Sequence, residues 1–184
     1  LTQIPRDWRD QVQADKRKQA FAILVLPLVL QANEHVAAER ERLAYLRARM
    51  KPGKAVPAAD QDWLQGLADR YGTKPDDLAE LARRVDEIPP SLALAQAAIE
   101  SGWGASRFAT DGNALFGQWT GDEGDAMVPA ERAPGATHAI RRFPTLGDSV
   151  ASYYRNLNTH RAYTEFRKQR AALRAAGKSL DGVT

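Results

Sequence analysis

The sequence predicts an α+β fold, in which a mostly helical body carries a small β-lobe. Two observations lead to this prediction. Apolar residues recur at helical spacing before Trp103 and after Thr145. Between Asp111 and Pro144 the chain instead has five glycines, three prolines and little helical period, which is typical of short strands joined by turns. Helices, then a β-lobe, then helices again indicate an α+β arrangement.

A helix is expected first, over residues 7–50. Apolar side chains recur there at helical spacing with arginines and glutamates between them, at Val36, Leu43, Leu46 and Met50. The apolar run Phe21–Leu30 is shorter than the roughly 20 residues that span a bilayer. It also contains Pro27, and we interpret it as a buried helix. The charged run Glu39–Arg47 is expected to be a solvated face, with His35 also exposed.

Breaking residues at Lys51-Pro-Gly-Lys54 and Pro57 end this first region. We therefore divide the chain into a helical extension over 1–56, packed on the body, and a main domain over 57–184. Apolar spacing predicts further helices in the main domain. They run from Asp60 to Gly72, over Leu78–Val85, and from Ser91 after Pro89-Pro90.

The β-lobe offers two candidate strands, Ala126–Val128 and His138–Phe143. Thr145 is expected to cap the helix that follows. That helix carries apolar residues in register: Leu146, Val150, Tyr153, Tyr154 and Leu157. A last helix carries Tyr163, Phe166 and Leu173 and is expected to end at Gly177. The strands and helices together complete the predicted α+β order.

Composition excludes several classes of function. There is no cysteine, so disulfides, cysteine zinc ligands and cysteine nucleophiles are ruled out. The three histidines are scattered and match no zinc motif, so we expect no metal and no cofactor. The net charge of +3 suits an anionic polymer without identifying one. Basic residues share their helices with many acids, so a nucleic-acid module is a weak alternative.

Glu100 is the most informative residue, because it ends the almost wholly apolar helix that starts at Ser91. A carboxylate is costly to bury, and a negative charge at a helix C-terminus opposes the helix dipole. If Glu100 is buried, its pKa is raised, which suits a general acid near neutral pH. The alternative is a helix-end glutamate that reaches solvent. Trp103 and Trp119 follow closely and offer flat apolar faces, a combination that favours sugar chemistry.

The chain resembles a known family at Ala97-Ala-Ile-Glu-Ser-Gly-Trp-Gly-Ala-Ser106 and at Asn113-Ala-Leu-Phe-Gly-Gln-Trp119. These segments are similar to glucosaminidase domains of glycoside hydrolase family 73, in the lysozyme superfamily. The bacterial Bax-type branch is more similar still. The residues that match it are Leu26-Pro-Leu-Val-Leu-Gln-Ala-Asn-Glu34, Gly135-Ala-Thr-His138 and Tyr154-Arg-Asn-Leu-Asn-Thr-His-Arg-Ala-Tyr163.

This resemblance implies a lysozyme-like α+β fold and cleavage of β-1,4 bonds after N-acetylglucosamine in bacterial peptidoglycan. It implies a location in the cell envelope, in the periplasm, with membrane association only through residues N-terminal to this chain. It maps the general acid onto Glu100. The residues expected to contact the glycan are Ser101, Trp103, Ser106, Asn113, Phe116, Gly117, Gln118, Trp119, His138, Tyr154 and Tyr163.

Two departures from the family pattern keep alternatives open. Relatives often carry a second glutamate; Glu131 is our first candidate for it and Glu123 the next, while Ala139 stands where Bax-type proteins often have glutamate. Relatives also continue past Thr184 with a tyrosine that lines the site, so we expect this chain to be C-terminally truncated.

The alternative functions are a lytic transglycosylase that uses Glu100 alone and a non-catalytic glycan-binding module. Trp103, Tyr154 and Tyr163 have core packing as their alternative role, and His138 and His160 have structural hydrogen bonding.

Overall fold

The computed structural model describes residues 2–5, 7–11, 13–50, 56–121, 124, 126–128 and 139–180. It confirms the α+β class, because helices both precede and follow a small antiparallel sheet along the chain. The helices are α1 (Trp8–Gln11), α2 (Ala14–Arg49), α3 (Ala58–Tyr71), α4 (Leu78–Arg84), α5 (Pro90–Ser101), α6 (Arg107–Gly112), α7 (Leu146–Thr159), a 3-10 turn (Arg161–Tyr163) and α8 (Thr164–Ala175). The strands are β1 (Trp119–Thr120), β2 (Ala126–Met127) and β3 (Ala139–Arg141).

The chain forms two compact units, and each is built from separate parts of the sequence. Unit 1 comprises Leu1–Leu30, Pro90–Tyr153 and Gly182–Thr184, and unit 2 comprises Gln31–Pro89 and Tyr154–Asp181. Helices α2 and α7 each contribute residues to both units. The expected boundary between a 1–56 extension and a 57–184 domain stays a prediction.

In unit 1, α2 buries one face of the apolar run. Phe21, Val25 and Val29 follow each other at four-residue spacing and are fully buried. Ile23, by contrast, is 75% exposed and Leu30 44% exposed, so the prediction that the whole run is buried was wrong. A helix with apolar residues all round cannot show from its sequence which of its faces packs.

The apolar run is only part of α2. By length and composition, the whole helix is long and apolar enough to cross a membrane. The shortness of the run Phe21–Leu30 therefore does not by itself exclude a membrane-spanning helix. Core helices of soluble proteins and N-terminal signal sequences share the same property, so it does not place the chain in a membrane.

Helix α5 begins at Pro90, the kind of first position that proline favours. Its buried side carries small residues, Ala93, Ala97 and Ala98. Ala95 and Ile99 lie on the exposed side, and Ile99 is 76% exposed. Small side chains on the packed face allow neighbouring segments to approach the helix closely.

The three strands of unit 1 form a sheet in the order β1-β3-β2, with both pairs antiparallel. The two strands expected from the sequence are confirmed as β2 and β3, but both are shorter than expected: Val128, Arg142 and Phe143 lie outside the strands, and His138 lies outside the described residues. Ile140 of β3 packs with Ala114 and Phe143 in a buried cluster that Phe108 covers. This cluster attaches the sheet to the segment that follows α6.

Side chains cap the helices on either side of this sheet. Ser106 accepts a hydrogen bond from the Ala109 amide and starts α6, a helix that the sequence analysis did not predict. At the start of α7, Thr145 accepts from the Asp148 amide while the Asp148 carboxylate accepts from the Thr145 amide. This reciprocal pair is a capping box and confirms Thr145 as the cap.

Unit 2 is built around a buried carboxylate, that of Asp86, which lies between α4 and α5 in the sequence. Its oxygens lie 2.8 Å from Arg174 Nη2, 3.4 Å from Arg40 Nη1 and 3.5 Å from Arg170 Nε. Burial lowers the pKa of Arg170 to about 10, against the opposing effect of Asp86. Two helices, α2 with one arginine and α8 with two, thus contribute three cations to one buried acid.

Glu39 corrects the expectation of a wholly solvated face on α2. It is buried, and its carboxylate accepts hydrogen bonds from Tyr71 Oη at 2.6 Å and Arg70 Nη2 at 2.7 Å. Burial, together with the bond to Glu39, raises the pKa of Tyr71. Leu43 and Leu46 of the same run are buried as well. His35 is exposed, as expected.

Candidate active site

Glu100 is the penultimate residue of α5, in unit 1, and its side chain is exposed. The structure therefore favours the alternative, a helix-end glutamate that reaches solvent, over a buried carboxyl. The cause lies in the helix faces: Ala97, one turn before Ser101, points inward, whereas Ile99 and Glu100 point outward. An exposed carboxyl at a helix end is accessible to a large polymeric substrate.

The turn after Glu100 is tightly constrained. Gly102, Trp103 and Gly104 all have positive φ angles, of 58°, 56° and 76°. Ser101 is fully buried; its hydroxyl donates to the Ala97 carbonyl and accepts from the Gly104 amide at 2.9 Å. Tryptophan rarely adopts a left-handed conformation, so the surroundings of the turn hold it there.

Residues near the N-terminus provide those surroundings. Trp8 Nε1 donates to the Trp103 carbonyl at 3.0 Å, and the Phe21 and Trp103 rings meet edge to face at 5.9 Å. A Cβ built on Gly104 would lie 2.9 Å from Ile4 Cδ1, so only glycine fits there. The Trp103 ring is thus engaged by Phe21, which favours packing, the alternative role that the sequence left open.

Asn113 to Gln118 form a loop between α6 and β1, and α7 holds this loop at three positions. Asn113 closes α6 in a left-handed conformation, and its amide donates to the Phe143 and Pro144 carbonyls. The three contacts with α7 are Leu115 N to Ser149 Oγ at 3.1 Å, the Phe116 ring stacked on Tyr153 at 4.0 Å, and Gln118 Nε2 to Ser152 Oγ at 3.1 Å.

This loop meets Glu100 at Gly117. A Cβ built on Gly117 would lie 3.4 Å from Glu100 Oε2, so the carboxylate lies beside Gly117, at van der Waals distance from the place a side chain would occupy. Gly117 also has a φ of 56°, which other residues adopt at a cost. A second link joins the same elements, because Tyr153 Oη donates to Gln96 Oε1, one turn before Glu100 on α5.

The structure therefore gathers Glu100, Phe116, Gly117 and Gln118 of the expected site. Trp119 follows Gln118 and is the first residue of β1. It is 61% exposed, which suits a ring that contacts a ligand. Ser101 and Ser106 belong to the turn and to the cap of α6. These hydrogen bonds account for the positions of both hydroxyls without any contact to a glycan.

Tyr154 and Tyr163 belong to unit 2. Tyr154 is buried, and burial raises its pKa with a further contribution from Glu87; this environment favours its packing role. Tyr163 is half-buried at the end of the 3-10 turn, edge-on to His160. His160 Nδ1 accepts from the Ala162 amide, a structural bond of the expected kind. Three further candidates, His138, Glu123 and Glu131, lie outside the described residues.

Sequence reasoning missed four residues that position the loop: Gln96, Ser149, Ser152 and Tyr153. The serines and the tyrosine carry a weak signal, since Ser149, Ser152 and Tyr153 share one face of α7 at three- and four-residue spacing. Gln96 is the one large polar side chain in the apolar part of α5. In the described part of the chain, no group of three His, Asp or Glu residues is arranged to hold a metal ion.

Comparison with known proteins gives the family. The glucosaminidase family, described as mannosyl-glycoprotein endo-beta-N-acetylglucosaminidase, matches residues 76–181, which include α5, the loop and α7. Protein bax of Escherichia coli (strain K12) is 35% identical over 180 residues, which cover 95% of this chain and 62% of that protein. No solved structure matches the chain significantly. The family match spans more than half of the chain and contains Glu100 with its supporting loop, so the chain belongs to the glucosaminidase family of glycoside hydrolases.

Proposed function

We propose that the protein is an endo-β-N-acetylglucosaminidase that cleaves β-1,4 bonds of bacterial peptidoglycan, with Glu100 as the general acid. The position of Glu100 carries this proposal. It is an exposed carboxyl that lies beside Gly117 of the loop, within the segment that the family match covers. Its location would be the bacterial cell envelope, on the periplasmic side.

In the proposed reaction Glu100 donates its proton to the glycosidic oxygen while the bond from that oxygen to C1 of N-acetylglucosamine breaks. Water then adds to C1 and leaves a reducing N-acetylglucosamine end. Glycoside hydrolases usually pair the acid with a second carboxylate. Glu131 remains the first candidate for that role and Glu123 the second; the acetamido group of the substrate is a third means of assisting the reaction.

Gln118 of the loop and Trp119 of β1 would bind the sugar chain beside this acid, whereas Phe116 is buried and supports the loop from below. Phe116 and Gln118 are held by Tyr153 and Ser152 before any ligand arrives, so the loop is preorganised. The exposed ring of Trp119 offers a flat apolar face for a pyranose. A loop that is already ordered loses less conformational entropy when the glycan binds.

Ala139 supports a second candidate, a lytic transglycosylase. It occupies the first position of β3, is buried, and carries no carboxyl group where the resemblance places a glutamate. A transglycosylase needs one acid/base carboxyl and no water, so Glu100 alone would suffice. Its product would end in 1,6-anhydro-muramic acid, whereas the hydrolase leaves a reducing N-acetylglucosamine.

The proposal is tested with Glu100→Gln in the natural full-length protein. We expect glycan cleavage to fall by ~10²–10⁴-fold, because glutamine keeps the size of the side chain but cannot act as a general acid. Binding to insoluble peptidoglycan should persist. Mass spectrometry of released muropeptides identifies the product end and so separates hydrolase from transglycosylase.

Glu165→Gln provides the matched control. Glu165 is an exposed helix glutamate whose partner is Lys168 at 3.7 Å, and its loss should leave cleavage unchanged. Full activity of Glu100→Gln would refute the proposed role of this residue. Binding by the wild-type protein with no released product would instead favour the non-catalytic glycan-binding module.

A further inference from the structure

We propose that Tyr153 and Gln96 are positioning residues: their hydrogen bond joins α7 to α5 and thereby sets the position of Gly117 beside the Glu100 carboxylate. The proposal rests on the role of Glu100 as general acid. Neither residue is expected to touch the glycan. Their effect on the reaction is to hold the acid and the loop in one geometry.

On the α7 side, Tyr153 serves as both a platform and an anchor. It is 4% exposed, and its ring stacks on Phe116 with an interplanar angle of 8° and a centroid distance of 4.0 Å. Phe116 directly precedes Gly117. Displacing the Tyr153 ring would therefore displace the part of the loop that meets Glu100.

On the α5 side, Gln96 and Glu100 are four residues apart and so lie on the same side of the helix. The Tyr153 hydroxyl donates to Gln96 Oε1. One tyrosine thus contacts the loop through its ring and the helix of Glu100 through its hydroxyl. The distance between the Glu100 carboxylate and Gly117 depends on both contacts.

An exposed glutamate needs this kind of support. In free solution its side chain exchanges between rotamers, and proton transfer requires the donor within hydrogen-bonding distance of the leaving oxygen. Misplacement of a reacting group by about 1 Å can cost ~10²-fold in rate. A loop held beside the carboxylate at Gly117 limits the space open to those rotamers, and Tyr153 and Gln96 hold the loop and the helix at that spacing.

The test uses Tyr153→Phe, Gln96→Met and the double variant in the full-length protein. Phenylalanine keeps the stack on Phe116, and methionine keeps the length of Gln96 without its acceptor. With a soluble, uncrosslinked glycan of the wall as substrate, we expect kcat to fall about 10-fold in each single variant and KM to stay within about twofold. The double variant should lose no more than either single variant, since both remove one shared bond.

Tyr71→Phe is the matched control. Tyr71 is also a buried tyrosine whose hydroxyl donates to a side chain, Glu39, but it belongs to unit 2 and to no part of the proposed site. It should lower the melting temperature and leave kcat unchanged. Wild-type kcat in Tyr153→Phe, or an equal loss of kcat in Tyr71→Phe, overturns the positioning role. If the wild-type protein itself releases no product, the proposed function fails, and the positioning role fails with it.

Discussion

Gly117 carries two constraints at once, and they act on different properties. Its positive φ makes any side chain costly for stability, and the Cβ of that side chain would lie 3.4 Å from Glu100 Oε2. We expect Gly117→Ala to lower the free energy of unfolding by about 1–2 kcal/mol and to lower kcat as well, because the new methyl group would come into van der Waals contact with the carboxylate and restrict its movement. Chemical denaturation and steady-state kinetics measure the two effects separately.

Gly177→Ala distinguishes strain from contact. Gly177 has a similar φ of 64°, and within the described residues nothing lies within 4 Å of its Cβ position. The two variants should lose similar stability, but only Gly117→Ala should lose activity. An equal loss of activity in both variants would mean that the backbone strain alone, rather than contact with Glu100, explains the effect.

Sequence reasoning found the residue Glu100 but not its environment. The motif around it and the following Asn113–Trp119 segment identified both halves of the contact with Gly117. The sequence left the burial of Glu100 open because α5 has apolar residues on both faces, and small alanines rather than the large Ile99 fill the packed face. Tyr153 and Gln96 are 57 residues apart in the chain, and a single sequence gives no signal for such a pair.

Among the elements, α8 depends most on buried charge. Arg170 and Arg174 of α8 meet Asp86, as does Arg40 of α2. Removing one partner of a buried ion pair leaves the other charge uncompensated and costs about 3–5 kcal/mol. We therefore expect Asp86→Asn to lower the free energy of unfolding by about that amount, measured by urea denaturation followed by circular dichroism.

Glu165→Gln, on α8 itself, is the comparison for Asp86→Asn. Glu165 and Lys168 lie 3.7 Å apart and are both mainly exposed, and such pairs contribute about 0–1 kcal/mol. Replacing Glu165 should therefore change the free energy of unfolding little. If Asp86→Asn were equally mild, the arginines would have to be satisfied by their other acceptors, such as Asn158 Oδ1 and the Arg83 carbonyl for Arg170.

Secondary structure was predictable where periodicity or breakers mark it. The start of α7 at Thr145, the end of α3 at Gly72 and the strands β2 and β3 follow from local signals. Helix α6 was missed because its six residues are too few to show a helical period and lie in a glycine-rich region. Its cap, Ser106, was instead assigned to substrate contact on the basis of the family resemblance.

The whole molecule is organised by long helices that contribute to both units. Helix α2 supplies Phe21, Val25 and Val29 to unit 1, and its later residues belong to unit 2. Asn33 of α2 exchanges two hydrogen bonds with the Ile88 backbone, at 2.8 Å and 3.0 Å. The stability of both units thus depends on residues that the sequence analysis placed in an N-terminal extension.

The last prediction concerns a fragment that begins at residue 57. Without residues 1–56, unit 1 loses four buried apolar residues and unit 2 loses three more: Ile4, Phe21, Val25, Val29, Val36, Leu43 and Leu46. Burying each is worth roughly 1.5–3 kcal/mol, a total comparable to the about 5–15 kcal/mol that stabilises a typical protein.

The fragment 57–184 should therefore lack fixed tertiary structure and release no glycan, although it retains Glu100, Gly117 and Tyr153. Near-ultraviolet circular dichroism and the dispersion of amide NMR signals test this directly. A cooperative melting transition with a dispersed spectrum would show that the 57–184 segment folds alone. In that case the contacts of Trp8 and Phe21 with the Trp103 turn would be dispensable for the fold, and residues 1–56 would be an appended element rather than part of the core.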